Sequence, residues 1–344
     1  YAIPTWTRTV ALVADHWKLQ RVLGCEGKPP SLWSAYRFAA KLRENGEAIE
    51  RCIDGVVEGL RSKLPSYGTD LAIDASDMPA YANGQRYVYK GGPERNWHTD
   101  PDASWGHRSA VATRKGGGFY GFKLQMACCT TTGLPVAWSV ETAKANESLF
   151  VTSLIDEAKR RGALAATCAM DKAYDIGRVY GECAERDCEA IVPLRQTPGV
   201  KQGDHLPPRC KHGVWRFAGS DRKRGASKWR CPTGECKPAS TWVAANRLHP
   251  LVPRETKRWK GLYRGRGAVE REFGRLKNEW GLKPLRVRGL DRVRLHADLT
   301  ILTKLACALA KARAATARPR QRSGRHRAET LPTATRSRRA VRRE

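Results

Sequence analysis

YRGRGAVEREFGRLKNEW, Tyr263 to Trp280, carries two stripes at helical spacing. Tyr263, Arg266, Glu270 and Lys277 fall at offsets 0, 3, 7 and 14, and at about 3.6 residues per turn they share one face. Val269, Phe273, Leu276 and Trp280 form a second stripe, spaced 4, 3 and 4, which is apolar and expected to be buried. Such a helix pins its aliphatic side to a core and holds Glu270 at the edge, beside a phenol, a guanidinium and an ammonium. A carboxylate so placed suits a metal ion, and its cationic neighbours suit phosphate. The pattern equally fits a solvated helix laced by ion pairs between turns. Gly265 and Gly267 weaken the first turn, so Tyr263 and Arg266 can also belong to a loop leading in.

Composition favours the first alternative. The formal charge is +29, from 63 Lys and Arg against 34 Asp and Glu. That excess excludes an ordinary metabolic enzyme and implies a polyanionic partner, most simply nucleic acid. From Lys311 onward 12 Lys and Arg face two Glu, so most of the excess lies elsewhere. Eleven cysteines, an odd number with Cys128 and Cys129 adjacent, and no secretory leader suggest a reduced, intracellular chain. The best apolar run, Leu299 to Ala310, is broken by Lys304 and is too short to span a membrane. The chain opens at Tyr1 without a Met, which leaves room for a missing N-terminal piece.

Residues 1–66 read as a helical unit: Trp6 to Leu23, Ser31 to Asn45 with Ser31 as cap, and Glu47 to Leu64, punctuated by Pro29, Pro30 and Pro65. DNA binding, dimerisation and plain packing are all open for it. From Thr69 the period changes. Leu71 to Ser76 (LAIDAS) is an apolar strand, Asn83 to Ser109 a long loop, and Gly118 to Thr130 with Leu134 to Val140 a strand pair turning near Thr132 and Gly133. Then follow a helix over Asn146 to Arg161, a strand over Ala165 to Met170, a helix over Ile176 to Arg186 and a strand over Glu189 to Leu194. A mixed α/β sheet flanked by helices over residues 67–312 is the expected architecture. Residues of about 197–246, rich in Cys, Trp and cations, interrupt it as an insertion. A helix over Asp291 to about Ala312 closes the domain, and 313–344 is a basic tail expected to be disordered.

Asp74 and Asp171 are each placed at the C-terminal end of a short apolar strand, and Glu270 on a helix packed against that sheet. Carboxylates from three separated elements can share one or two hard divalent ions, Mg2+ or Mn2+. Two such ions about 4 Å apart serve in-line displacement at phosphorus without a covalent nucleophile.

From about Leu71 to Leu309 the chain resembles a DDE transposase of a bacterial insertion sequence. The sharpest match is Tyr, two residues, Arg, three residues, Glu, six residues, Lys, which Tyr263, Arg266, Glu270 and Lys277 satisfy at every spacing. Asp74 in IDAS resembles the family's first acid and Asp171 in MDKAYD its second. The resemblance implies a ribonuclease H-like catalytic fold carrying a β insertion over about 197–246, with Asp74, Asp171 and Glu270 as catalytic metal ligands. It further implies binding to double-stranded DNA at an element's terminal inverted repeats, nicking by hydrolysis, and attack of the freed 3′ hydroxyls on target DNA. Tyr263, Arg266 and Lys277 would grip phosphates, and Lys123 would face the site. A homodimer or larger homo-oligomer on DNA, in the bacterial cytoplasm at the nucleoid, is expected by the same resemblance. Two rival accounts stay open: a non-catalytic DNA-binding remnant of a transposase, and a magnesium nuclease without strand transfer.

Other polar groups are weighed beside these. Asp77, Asp175 and Glu272 are set apart as decoys. Cys210, His212, Cys231 and Cys236 fall within 27 residues and can either hold structural Zn2+ or remain plain thiols, their spacing departing from paired CxxC knuckles. Trp215, Trp229 and Trp242 are either core or stacking platforms for a displaced base. His98, Asp100, Asp102 and His107 form either a metal cluster or a turn-rich loop.

Overall fold

In this computed structural model the described residues are 5–84, 99–108, 115–196 and 203–317. The start of the insertion, most of the long loop including His98, and the tail from 318 lie outside them.

Four helices open the chain: α1 (Trp6–Asp15), α2 (Trp17–Leu23), α3 (Leu32–Glu44) and α4 (Gly46–Lys63). The helix expected over Trp6 to Leu23 breaks at His16, whose backbone is extended. The Gln20 amide crosses the break to the carbonyls of Val13 and Ala14, at 3.0 and 2.8 Å. Ser31 caps α3 as expected, accepting from the Ser34 N–H at 3.1 Å. Helix α4 buries Ile49, Ile53, Val57 and Leu60 in the same hydrophobic core that contains the sheet.

The sheet is built from β1 (Asp70–Pro79), β2 (Ser104–Arg108), β3 (Gly117–Cys129), β4 (Pro135–Thr142), β5 (Thr167–Ala169) and β6 (Glu189–Ile191). Strand β1 lies between β3, antiparallel, and β5, parallel, with β6 parallel beyond. β2 and β4 both pair with β3, β2 over 117–121 and β4 over 122–128. Helices α5 (Val151–Arg160) and α6 (Gly177–Ala184) make the crossovers. Leu71, Ala72 and Ile73 are all fully buried, as a strand covered on both faces requires. This is a mixed sheet flanked by helices, consistent with the ribonuclease H-like fold.

The sequence pattern misplaced two features. The region expected as loop contains strand β2, and Asp74 sits midway along β1 rather than at its end. β1 outlasts its apolar run because β3 continues to pair with it as far as Pro79.

Asp100 and Asp102, open between metal ligands and acids of a turn-rich loop, lie in a turn and act as the start signal of α9 (Leu290–Ala317). Both Asp100 oxygens accept from the Gly289 N–H at 3.2 and 3.1 Å, and Asp102 accepts from that of Leu290 at 2.9 Å. These orphan donors have no partner within the helix. Asp100→Ala is expected to lower stability by about 1–2 kcal/mol, seen as a lower urea midpoint with an unchanged slope. No loss would mean that the cap is idle.

The insertion is strand-rich, as expected. β7 (Arg209–Cys210) pairs with β8 (Gly213–Val214), and β9 (Arg216–Asp221), β10 (Ala226–Arg230) and β11 (Ser240–Ala244) form a separate sheet. Trp229 is buried against Phe217, whereas Trp242 is 37% exposed with Arg224 and Lys228 over its ring. Asp175, fully enclosed, anchors the return of the chain: it accepts from the Arg195 N–H at 2.7 Å and pairs with Arg247 and Arg254. Its role is architectural.

Candidate active site

The stretch 263–280 forms two helices, α7 (Lys257–Arg264) and α8 (Gly267–Asn278), joined at a corner. Thr256 caps α7, and Trp259 packs with Ala169, Ile191 and Val252 beyond the parallel strands. Gly265 makes the corner: a Cβ there would stand 3.0 Å from both the Leu262 carbonyl and Thr130. Helix α8 buries Ala268, Val269, Glu272, Phe273 and Leu276; the expected apolar stripe is present, with Trp280 partly buried. Glu270 therefore faces outward, its side chain 56% exposed.

The parallel register aligns Ala72 with Ala169. Asp74 and Asp171 each lie two residues further along, so adjacent lanes of the sheet carry both acids to one end. Asp171 accepts from the Ala173 N–H at 2.7 Å, which fixes the turn Lys172–Tyr174. Arg266 reaches across from α8: it lies 2.8 Å from Glu270 Oε1 and 3.4 Å from Asp74 Oδ2. Arg266 thus reaches an acid 192 positions before it in the chain and joins it to Glu270 through one guanidinium. Tyr263 stacks on Trp259, ring centroids 4.9 Å apart, at the same corner.

Burial pushes the Asp74 carboxyl up to about 7, against the pull of Arg266 and a backbone hydrogen bond from Ala75; Asp171 and Glu147 push it further. The Tyr263 phenol is also raised, chiefly by burial. Tyr174 is raised well above its ordinary value by burial and by Asp74, Glu147 and Asp171, and its buried hydroxyl makes no hydrogen bond among the described residues. A concentration of negative charge in a partly desolvated place, all of its donors oxygen, fits a hard divalent cation. The Arg266 guanidinium supplies positive charge between two of those acids.

Lys277 lies further along the same edge. Its Nζ bonds Ser76 and stands 3.1 Å from Asp77, which also pairs with Lys283 at 3.4 Å and Arg108 at 3.2 Å. Asp77, set apart as a decoy, gathers three cations. Lys283 escaped the sequence pattern because it lies past the helix end; burial, with Lys277 nearby, lowers it to about 8 despite Asp77. Lys123 pairs with Glu147 at 2.7 Å. Glu147 was missed as well, because an acid in the first turn after an Asn cap is ordinary helix chemistry. Both line an open cleft of about 580 Å³ with Trp105, His107, Lys144 and Tyr174.

Glu272 is turned fully inward and pairs with Lys304 at 2.7 Å. In the insertion, the Sγ atoms of Cys210, Cys231 and Cys236 lie within 4.8 Å of one another, whereas His212 stands outside that set.

A family model described as a transposase DDE domain matches residues 67–303. No curated protein matches the chain. Among solved structures, a cryo-EM structure of a piggyBac transposase synaptic complex with hairpin DNA is similar at 11% identity and a TM-score of 0.31. The match covers 74% of this chain and 55% of that one, so the chain spans about half the length of the solved structure it matches.

Proposed function

We propose, on the premise that this chain belongs to the transposase DDE domain family, that it cuts double-stranded DNA at the terminal inverted repeats of a bacterial insertion sequence and joins the freed 3′ ends to target DNA. The observation that carries this is the Arg266 guanidinium reaching both Asp74 and Glu270 beside Asp171. Asp74, Asp171 and Glu270 would hold Mg2+ or Mn2+, which supplies activation of the attacking oxygen and stabilisation of the leaving one. Arg266 exchanges its carboxylate partners for phosphodiester oxygens when DNA binds, and Tyr263 donates its hydroxyl to the same backbone. Lys277 and Lys283 steady the flanking phosphate, pre-aimed by Asp77. Trp33 and Phe38, 74% and 60% exposed on α3, support a second copy docking there, as homo-oligomeric action on paired DNA ends in the bacterial cytoplasm requires. No helix among the described residues is long and apolar enough to cross a membrane.

The test is cleavage of a labelled duplex carrying the flanking terminal repeat, with Mg2+ or Mn2+, by the natural chain and by Glu270→Gln. Changes in the surroundings of metal ligands alone typically cost about 10–100-fold. Loss of a ligand charge is therefore expected to cost more than about 100-fold while repeat binding persists. Strand-transfer products separate a transposase from a plain nuclease. Equal binding with no cutting by either protein would leave a DNA-binding remnant as the better account.

A further inference from the structure

We propose that the insertion is closed by a structural zinc ion held by Cys210, Cys231 and Cys236, whose Sγ atoms lie within 4.8 Å of one another, and that the His212 imidazole, which stands outside that set, turns in as the fourth ligand when the ion binds. Cys210 comes from β7, Cys231 directly follows β10, and Cys236 lies on the way to β11. The two small sheets to which these residues belong are not paired with each other. The ion ties them together where little apolar surface does: the buried side chains nearby are those of Ala226, Trp229 and Cys231.

The spacing suits a metal better than a disulfide. Cys210 Sγ and Cys231 Sγ are 3.8 Å apart, and ligands at about 2.3 Å from a tetrahedral zinc stand about 3.8 Å from each other. A disulfide needs about 2.05 Å. His212 brings the second observation. Its Nε2 is buried without a hydrogen-bond partner among the described residues, while its Nδ1 faces Glu235 Oε2 at 3.3 Å. A zinc-bound imidazole is commonly arranged so, one nitrogen on the ion and the other donating to a carboxylate that sets the tautomer. Glu235 adjoins Cys236, so the carboxylate moves with the ligand set. Three thiolates and a neutral imidazole on Zn2+ leave a net charge of −1, offset by the neighbouring Arg209, Lys211 and Lys237. The missing CxxC knuckle is replaced by a CxH turn on one hairpin and a longer loop on the other.

The experiment uses the full chain, purified with zinc and passed over a desalting column with a weak chelator. Elemental mass spectrometry is expected to find one zinc per chain. In the natural chain, cobalt in place of zinc is expected to give the visible bands of a tetrahedral ion and a thiolate-to-cobalt charge-transfer band. His212→Ala should shift those visible bands, and Cys231→Ser should lower zinc content at least tenfold. If Cys231→Ser fails to fold, the cobalt spectrum of the natural chain decides. A metal-free chain with its thiols countable, a Cys210–Cys231 disulfide by peptide mapping, or an octahedral cobalt spectrum would overturn the site. Visible bands unchanged in His212→Ala would overturn the fourth ligand. Cleavage of DNA is not a readout here, so failure of the catalytic reading leaves this test intact.

Discussion

Asp74→Asn is expected to abolish DNA cleavage and, in the metal-free protein, to raise stability at pH 8. The two effects share one cause. The Asp74 carboxyl titrates at about 7 in the folded chain against an ordinary value of 3.8, because it is held away from water among other acids. A group whose folded pKa is raised binds its proton more tightly in the native state, so stability is intact below about pH 4 and is lost as pH climbs to about 7. The loss has an upper limit of roughly 4 kcal/mol, from about three pKa units, and less in practice because the side chain is 16% exposed. Asparagine carries no charge at any of these pH values. Urea unfolding in EDTA at pH 5 and pH 8 should therefore show the gap between variant and natural chain opening with pH. Added Mg2+ should close it by stabilising only the natural chain. Parallel pH profiles for the two proteins would mean that Asp74 is not strained by its charge.

The second large effect is expected at the Glu272–Lys304 pair. Glu272 is wholly buried and Lys304 is 7% exposed, with 2.7 Å between them and the Trp280 ring 5.7 Å from the ammonium. Lys304→Met is expected to cost about 3–5 kcal/mol, because it leaves an enclosed carboxylate without its directly paired cation. One of its oxygens already lacks a hydrogen bond among the described residues, and burial raises its pKa even with Lys304 present. Combining Lys304→Met with Glu272→Leu should recover most of the loss, since a packed apolar pair does without the desolvation of two ions. Urea midpoints of the single and double variants decide. A single variant within about 0.5 kcal/mol of the natural chain would mean that water reaches the pair.

That pair also marks the limit of what the sequence discloses. The break at Lys304 in an apolar run and the off-stripe position of Glu272 are both visible in the chain, but nothing local relates residues 32 positions apart. Where a signal is periodic it is legible: the apolar stripe of α8, the cap at Ser31 and the hairpin of β3 and β4 all follow from spacing. The two acids, and their meeting on neighbouring strands of one sheet, could be nominated from the apolar runs, but the register that sets Asp74 level with Asp171 is fixed by tertiary pairing. Asp77 looked dispensable because its three cations come from residues 108, 277 and 283. Asp100 and Asp102 stayed open between a metal cluster and a turn-rich loop because the helix they cap begins nearly 190 residues later.

Helix α9 packs against both β4 and α4, so the late part of the chain clasps an early one. This arrangement restricts how such chains can trade parts during evolution. A crossover near residue 66 would deliver a foreign partner to the stripe of Ile49, Ile53, Val57 and Leu60, which α9 must match side chain for side chain. A crossover between Gly24 and Pro30 would transfer only α1 and α2, which together bury little beyond Val13. New binding specificities are therefore most readily acquired upstream of α3, with the clasp passing unchanged from parent to hybrid.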